Sequence, residues 1–156
     1  MAEREHIVDL RRAAPGYEAD YAAWLDHQVS LLKASRWSEL DKENLIDEVE
    51  SLGRSDFRRF VSAFEIVIAH MLKWDVQPER RTNSWIASIA EHRARIGREL
   101  EESPSYGGRI PEAVRQAWRP ARARASGETD LPLRQFPAEL PYSIDDIMNR
   151  EHELAG

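Results

Sequence analysis

The sequence contains no cysteine, which removes several kinds of chemistry at once. A chain without cysteine forms no disulfide, offers no thiolate ligands to zinc or an iron–sulfur cluster, and has no cysteine nucleophile. No run of residues approaches the roughly 18 apolar residues of a membrane-spanning helix, and residues 1–6 lack the apolar stretch of a signal peptide. We therefore expect a cytoplasmic protein that does not associate with membranes.

Common catalytic and cofactor motifs are also absent from the sequence. It has no glycine-rich phosphate loop, no Gly-x-Gly-x-x-Gly fingerprint and no serine-nucleophile motif. Acidic residues stand directly beside histidine in Asp26-His27 and Glu91-His92. On a helix such neighbours point about 100° apart and so do not share a metal ion. The sequence predicts neither a metal site nor a bound cofactor.

The composition is typical of one folded domain with a well-solvated surface. The 156 residues are 42% hydrophobic and 32% charged, which is enough for a core in a chain of ordinary domain size. We predict an N-terminal extension over residues 1–16 and a single helical domain over 17–153. The net charge of −6 is distributed over an acidic segment, 18–56, a basic segment, 57–124, and a second acidic segment, 125–156. This balance favours a protein partner or a homo-oligomer and makes a nucleic acid an unlikely ligand.

Apolar residues recur at helical spacing nearly throughout the chain, which predicts an all-α fold. We expect a single-domain helical bundle of four main helices, one of them a long second helix, with an extended proline-rich strap and a short C-terminal helix. The main helices are predicted at about 16–34, at 41–75, from 82–84 to about 102, and from Pro111 onward. Pro120 should kink or shorten the fourth helix, because proline removes a helical hydrogen bond.

The C-terminal part of the chain is predicted to be extended and then helical. Three prolines fall within residues 129–141, so this strap should be anchored by its larger apolar residues: Leu131, Leu133 and Phe136. Ser143 followed by Asp146 is typical of a capping box, which predicts a last helix that ends near Glu153.

The second helix is long for a domain of this size. Its apolar arc runs without a break from Leu45 to Met71 and passes Gly53. At 1.5 Å per residue the helix is about 50 Å long, compared with about 40 Å across a compact domain. We expect it to bend at Gly53, to protrude, or to take part in a dimer.

Several segments together resemble one known family. Residues 43–55, His70–Trp74, Gln77–Arg81, Ser84-Trp85 and the proline-containing strap are similar to the bacterial domain-of-unknown-function family 29. The resemblance covers about residues 17–150. It implies a small all-α bacterial protein and implies no biochemical activity.

A polar cleft between helices is one candidate site. Its residues lie on or beside the apolar arcs of the second and third helices: Glu43, Glu50, His70, His92 and Arg93. Because a buried unpaired charge is costly, we predict that Glu50 or Glu43 pairs with Arg93. The pair either fixes the helix register or belongs to a catalytic cleft, with a carboxylate as base and a histidine as proton carrier.

An exposed loop is the second candidate site. Arg80 and Arg81 precede the start of the third helix, next to Ser84 and the indole of Trp85. This arrangement could bind a phosphate, a base or a protein partner. The alternative is a structural loop in which Glu79 pairs with one arginine and the tryptophans pack in the core.

Two functions remain open from the sequence. The first is an intracellular protein-interaction or regulatory module that uses the long second helix and the arginine-containing loop. The alternative is a small enzyme or ligand-binding protein that acts on a phosphate-bearing molecule through an Arg/Glu/His cleft.

Overall fold

The computed structural model describes residues 15–154, and every regular element in that range is helical. The all-α prediction is confirmed. The main helices are α1 (Tyr21–Lys33), α2 (Lys42–Val76), α3 (Asn83–Glu102), α4 (Ile110–Thr129) and the short α5 (Ile144–Asn149). Short 3-10 turns lie between them at Trp37–Glu39, Pro78–Arg80, Pro104–Arg109 and Leu133–Gln135. Most of the predicted N-terminal extension lies outside the described residues.

The chain divides into two compact units, with the boundary between Arg54 and Ser55. This boundary falls inside α2, which is one uninterrupted helix of 35 residues. The first unit holds α1 and the beginning of α2, and the second holds the rest of α2 with α3, α4 and α5. The single domain over residues 17–153 stays a prediction.

The first unit is a helical hairpin with very little core. Helix α1 begins after Asp20, whose carboxylate accepts a hydrogen bond from the Ala23 backbone at 3.0 Å. This N-cap explains why the helix starts at Tyr21 and not at the predicted position 16. The buried stripe of α1 consists of Trp24, Gln28 and Leu31.

The second unit contains the hydrophobic core. Three helices supply most of the buried apolar side chains of this core, and α5 and the strap add Ile147 and Phe136. The core includes Phe60, Phe64, Val67 and Ile68 from α2, Ile89 and Ile96 from α3, and Ala113, Ala117, Ala121 and Ala125 from α4. The alanines at four-residue spacing leave room for the large aromatic side chains, because a small residue lets a neighbouring helix approach closely. This part of the fold is therefore held by apolar burial.

Helix α4 is not shortened at Pro120 but continues to Thr129. Both Pro120 and Gln116, whose carbonyl loses its helical donor, are exposed. Water can therefore satisfy that carbonyl, which lowers the cost of an internal proline.

The C-terminal segment agrees with the sequence in part. The capping box is present, with Ser143 accepting from the Asp146 backbone and Asp146 accepting from the Ser143 backbone. Helix α5 ends at Asn149, earlier than predicted. Of the predicted anchors of the strap, Leu133 is 43% exposed, and Leu131 is partly buried against the core. Phe136 is the buried anchor of the strap.

Candidate functional site

The beginning of α2 presents large apolar side chains to solvent. Ile46 is 58% exposed, Val49 67% and Leu52 65%. Helix α1 adds Leu25, Val29 and Leu32, which are 37–41% exposed. We call these six side chains the hairpin face. A contiguous apolar surface of this kind is unusual on a soluble protein and typically marks a binding surface.

Polar contacts fix α1 and α2 in antiparallel orientation. The Trp24 indole donates to Asp41 at 3.0 Å, and one turn earlier in α1 the Tyr21 hydroxyl donates to Glu48 at 2.9 Å. The earlier residue of α1 thus bonds to the later residue of α2, as it must when two helices are antiparallel. The backbone amide of Asp41 also donates to the Gln28 side chain at 2.9 Å. This hydrogen bond gives the buried side chain of Gln28, the polar residue of the α1 stripe, a partner.

The two apolar stripes of the hairpin lie on the same side of it. Leu25, Val29 and Leu32 each follow a buried α1 residue by one position. Val49 likewise follows Glu48, which contacts α1. One position is a rotation of 100° in the same sense on both helices. In an antiparallel pair, equal rotations away from the partner lead to the same face, so the six side chains form one surface.

Two tyrosines and one carboxylate stabilise the open end of the hairpin. Tyr17 donates to Glu48 at 2.5 Å, beside the bond from Tyr21. These hydrogen bonds lower the pKa of the Glu48 carboxyl, and the bond to Glu48 raises the pKa of Tyr17 to about 12. Glu48 therefore stays ionised, and the hairpin is fixed by polar bonds where a core is lacking.

The predicted pairing of Glu50 or Glu43 with Arg93 is wrong. Glu50 is exposed and bonds to Arg54 at 3.3 Å within α2, and Glu43 is also exposed. The Arg93 guanidinium donates to the carbonyls of Ile147, Arg150 and Asp146 at 2.8–3.0 Å. The apolar arc of α2 is solvated at its beginning, so a position on that arc did not imply burial.

Arg93 acts as the C-terminal cap of α5. The last carbonyls of a helix lack intrahelical donors, and a cation there also faces the negative end of the helix dipole. Three bonds from one planar guanidinium attach α5 to α3. We interpret the role of Arg93 as structural.

A charged network in the second unit connects α2 to α4. Lys73, only 6% exposed, donates to Glu128 at 2.7 Å, and its ammonium lies 4.7 Å from the centre of the Trp85 ring. Arg124 bonds to Glu128 at 3.4 Å and to Glu65 at 2.8 Å. Burial alone would raise the pKa of the Glu128 carboxyl, but the bond from Lys73 brings it below its usual value. The Glu128 carboxyl is therefore ionised at neutral pH.

Sequence reasoning missed Lys73 and Glu128. The signal for Lys73 was its place with His70 inside the apolar run from Ile66 to Trp74. Glu128 carried no signal, because it lies 55 residues away and is found only through the fold.

The two predicted histidines lie beside this network. In each, Nδ1 bonds to the carbonyl four residues earlier, at 2.9 Å for His70 and 2.8 Å for His92. Burial lowers the pKa of His70, and the Lys73 and His92 charges act in the same direction. His70 therefore favours the neutral form at pH 7, in which Nε2 is left as an acceptor.

The two arginines of the predicted loop site have different surroundings. Arg81 donates to the Trp74 carbonyl at 2.9 Å, and its guanidinium stacks 4.8 Å from the Trp74 ring centre. Arg80 is exposed, and Ser84 bonds to Thr82 at 2.8 Å. One arginine is thus committed to packing and only the other faces solvent.

A cavity of about 410 Å³ lies between α4 and the strap. Its lining comprises Trp118, Arg119, Arg122, Leu133, Ala138 and Glu139. One terminal nitrogen of Arg122 donates to the carbonyls of Leu133 and Phe136 at 3.0 and 3.1 Å, while its buried Nε has no partner. The sequence indicated only that this helix belongs to a basic segment, because the cavity needs the strap to close it.

Two further observations concern residues 15–154. In that range no three His, Asp or Glu side chains are arranged to hold a metal ion. No helix of the described chain is long and apolar enough to cross a bilayer.

The comparison with known families agrees with this architecture. Residues 17–152 match the family described as Domain of unknown function DUF29. The chain belongs to this family. No curated protein and no solved structure gives a significant match to this member of DUF29.

Proposed function

We propose that this DUF29 protein is a protein-interaction module that binds its partner through the hairpin face. The observation that supports the proposal is the exposure of Ile46, Val49 and Leu52 at 58–67%. Covering the exposed part of each side chain contributes about 1–2 kcal/mol, and nothing within the hairpin compensates for leaving them in water.

The surface fits a helical partner with an apolar stripe of its own. The exposed side chains of α1 recur at four and three residues, and those of α2 at three. This spacing forms the ridges and grooves into which another helix packs. A bacterial source and a cytoplasmic location, both expected from the sequence, belong to this proposal.

A photo-crosslinking amino acid at Val49 tests the proposal in cells. We expect it to form a covalent adduct with one polypeptide. The crosslinked peptide, identified by mass spectrometry, should have apolar residues at the spacing of an amphipathic helix. The matched control is the same amino acid at Ser51, which is exposed on the opposite side of α2 and should give no adduct. Equal labelling from both positions, or no polypeptide adduct from Val49, would overturn the proposal.

Ligand binding in the cavity beside α4 is a second candidate function. It is supported by the volume of about 410 Å³, which is within the range of small-molecule sites, and by the indole and two guanidinium groups in its lining. Such a lining suits an aromatic ligand with an anionic group, because the indole can stack and arginine binds oxyanions. The predicted Glu43, Glu50, His70, His92 and Arg93 do not line this cavity.

Phenyl phosphate is a suitable probe of the cavity. Saturable quenching of tryptophan fluorescence that is lost in Arg119→Gln would support ligand binding. Arg115→Gln is the matched control, since Arg115 is exposed on the same helix outside the cavity lining. Quenching that survives Arg119→Gln would count against the cavity as the site.

A further inference from the structure

We propose that the polypeptide covering the hairpin face is a second copy of this chain, so that two hairpins pack into a four-helix arrangement. This inference rests on the proposed interaction function and names its partner. The first step is the shortage of core in the first unit. Its buried apolar residues are Trp24 and Leu31 among residues 15–54, while six large aliphatic side chains of the hairpin face are exposed. A two-helix layer with one apolar side is complete only when another layer covers it.

The area of the hairpin face matches the requirement of a small dimer. Six aliphatic side chains that are about half exposed, together with the adjacent Tyr21 at 46%, leave on the order of 400 Å² of apolar surface on each copy. A specific interface at the lower size limit buries about 600 Å² on each partner, of which about 60% is apolar. The face therefore supplies the apolar core of such an interface without any other part of the chain.

The hairpin face can pack against the same face of a second copy. A twofold axis that lies in the plane of the interface places the same surface on both sides of it. Such isologous pairing is the commonest arrangement of homodimers. Because each hairpin already contains two antiparallel helices, two of them form the four-helix layer packing seen in bundles. Val49, the middle residue of the α2 stripe, then lies near the axis and meets the partner's stripe.

Charge favours the reversed orientation of the two hairpins. The connector end is balanced, with the bases Lys33, Arg36 and Lys42 beside the acids Glu39, Asp41 and Glu43. The open end is acidic, because one base, Arg54, accompanies the acids Glu18, Asp20, Glu48 and Glu50 there. A reversed pair keeps the two acidic ends apart. The helix dipoles of α2 and the partner's α2 also oppose each other in this orientation.

Self-association of the purified full chain tests the inference. Sedimentation equilibrium from about 1 to 200 µM should show a reversible dimer with a dissociation constant in the micromolar range. Val49→Glu should weaken the dimer at least about 30-fold, because it places an unpaired charge in the centre of the apolar contact. Ser51→Glu adds the same charge on the opposite side of α2 and should leave the dimer unchanged. Circular dichroism of each variant verifies that the helices are kept.

Crosslinking gives a second and independent measurement. Because the chain has no cysteine, Val49→Cys carries a single thiol, and a short bismaleimide should join two copies. The same reagent should leave Ser51→Cys monomeric. A chain that is monomeric at 200 µM would overturn the second copy as partner, and a dimer unaffected by Val49→Glu would overturn this surface. A heterologous adduct from Val49 in cells would then still support the interaction function, so the two failures are distinguishable.

Discussion

Removal of the Glu128 carboxylate should destabilise the protein more than removal of the lysine that it pairs with. The structural reason is the unequal burial of the two side chains, 8% exposed for Lys73 and 38% for Glu128. In Glu128→Gln the ammonium of Lys73 stays buried beside a neutral amide. In Lys73→Met the carboxylate keeps both its contact with water and its bond to Arg124.

The magnitude follows from this asymmetry. Stranding a fully buried charge costs about 3–5 kcal/mol, whereas losing an exposed ion pair costs about 0–1 kcal/mol. Since Glu128 is partly exposed, we expect Glu128→Gln to lower the free energy of unfolding by about 2 kcal/mol. Lys73→Met loses the contact with the Trp85 ring, but a buried thioether also packs well against an indole. We expect this variant to lie within about 1 kcal/mol of the parent protein.

Urea denaturation of the two single variants and the double variant measures the asymmetry. The double variant should be as stable as Lys73→Met alone, because with methionine at position 73 the glutamine at position 128 leaves no buried charge without a partner. Glu112→Gln is the control, since Glu112 is an acid of α4 that pairs with Arg109 on the surface and should cost less than about 1 kcal/mol. If Lys73→Met were the more destabilising change, the explanation from unequal burial would be refuted.

Three further predictions concern pH and the attachment of α5. Because the pKa of His70 is lowered in the folded state, its contribution to stability is complete above the usual histidine pKa of about 6.5 and is lost as the pH falls through the lower folded-state value. His70→Gln should therefore reduce the loss of unfolding free energy between pH 7.5 and 5. An unchanged pH profile in this variant would count against the prediction. Arg93→Lys should lower the free energy of unfolding, measured by urea denaturation, by about 2 kcal/mol, because an ammonium cannot make the three hydrogen bonds that the planar guanidinium donates to carbonyls. Ser143→Ala removes half of the capping box and should cost about 1 kcal/mol, with faster hydrogen exchange in α5 and not in α3.

Helical periodicity was a sufficient guide to the elements but not to their surroundings. It identified every main helix, because an amphipathic stripe is a local property of the sequence. A capping residue, Asp20, explains the shifted start of α1. The charged network was out of reach for the opposite reason, since Lys73 and Glu128 lie 55 residues apart in the chain and meet only through the packing of α2 on α4.

The predicted pairing of Glu50 with Arg93 was wrong for a reason that also explains the hairpin face. An apolar arc shows which side chains share one side of a helix, and it says nothing about what covers that side. Along α2 the same arc is buried at Phe60 and Phe64 and exposed at Val49 and Leu52. Glu50 was therefore predicted to be inside because its apolar neighbours were assumed to be covered.

The unbroken arc of α2 indicates that its beginning has the pattern of a buried helix without the burial. If Val49 and Leu52 were always exposed to water, polar residues at these positions would allow the same hairpin to form. The hydrogen bonds that hold the hairpin are made by Tyr21, Trp24 and Glu48 and do not involve these two side chains. The apolar side chains contribute to stability only when they leave water. The covering partner proposed above would account for them, whereas residues 15–154 leave these side chains exposed.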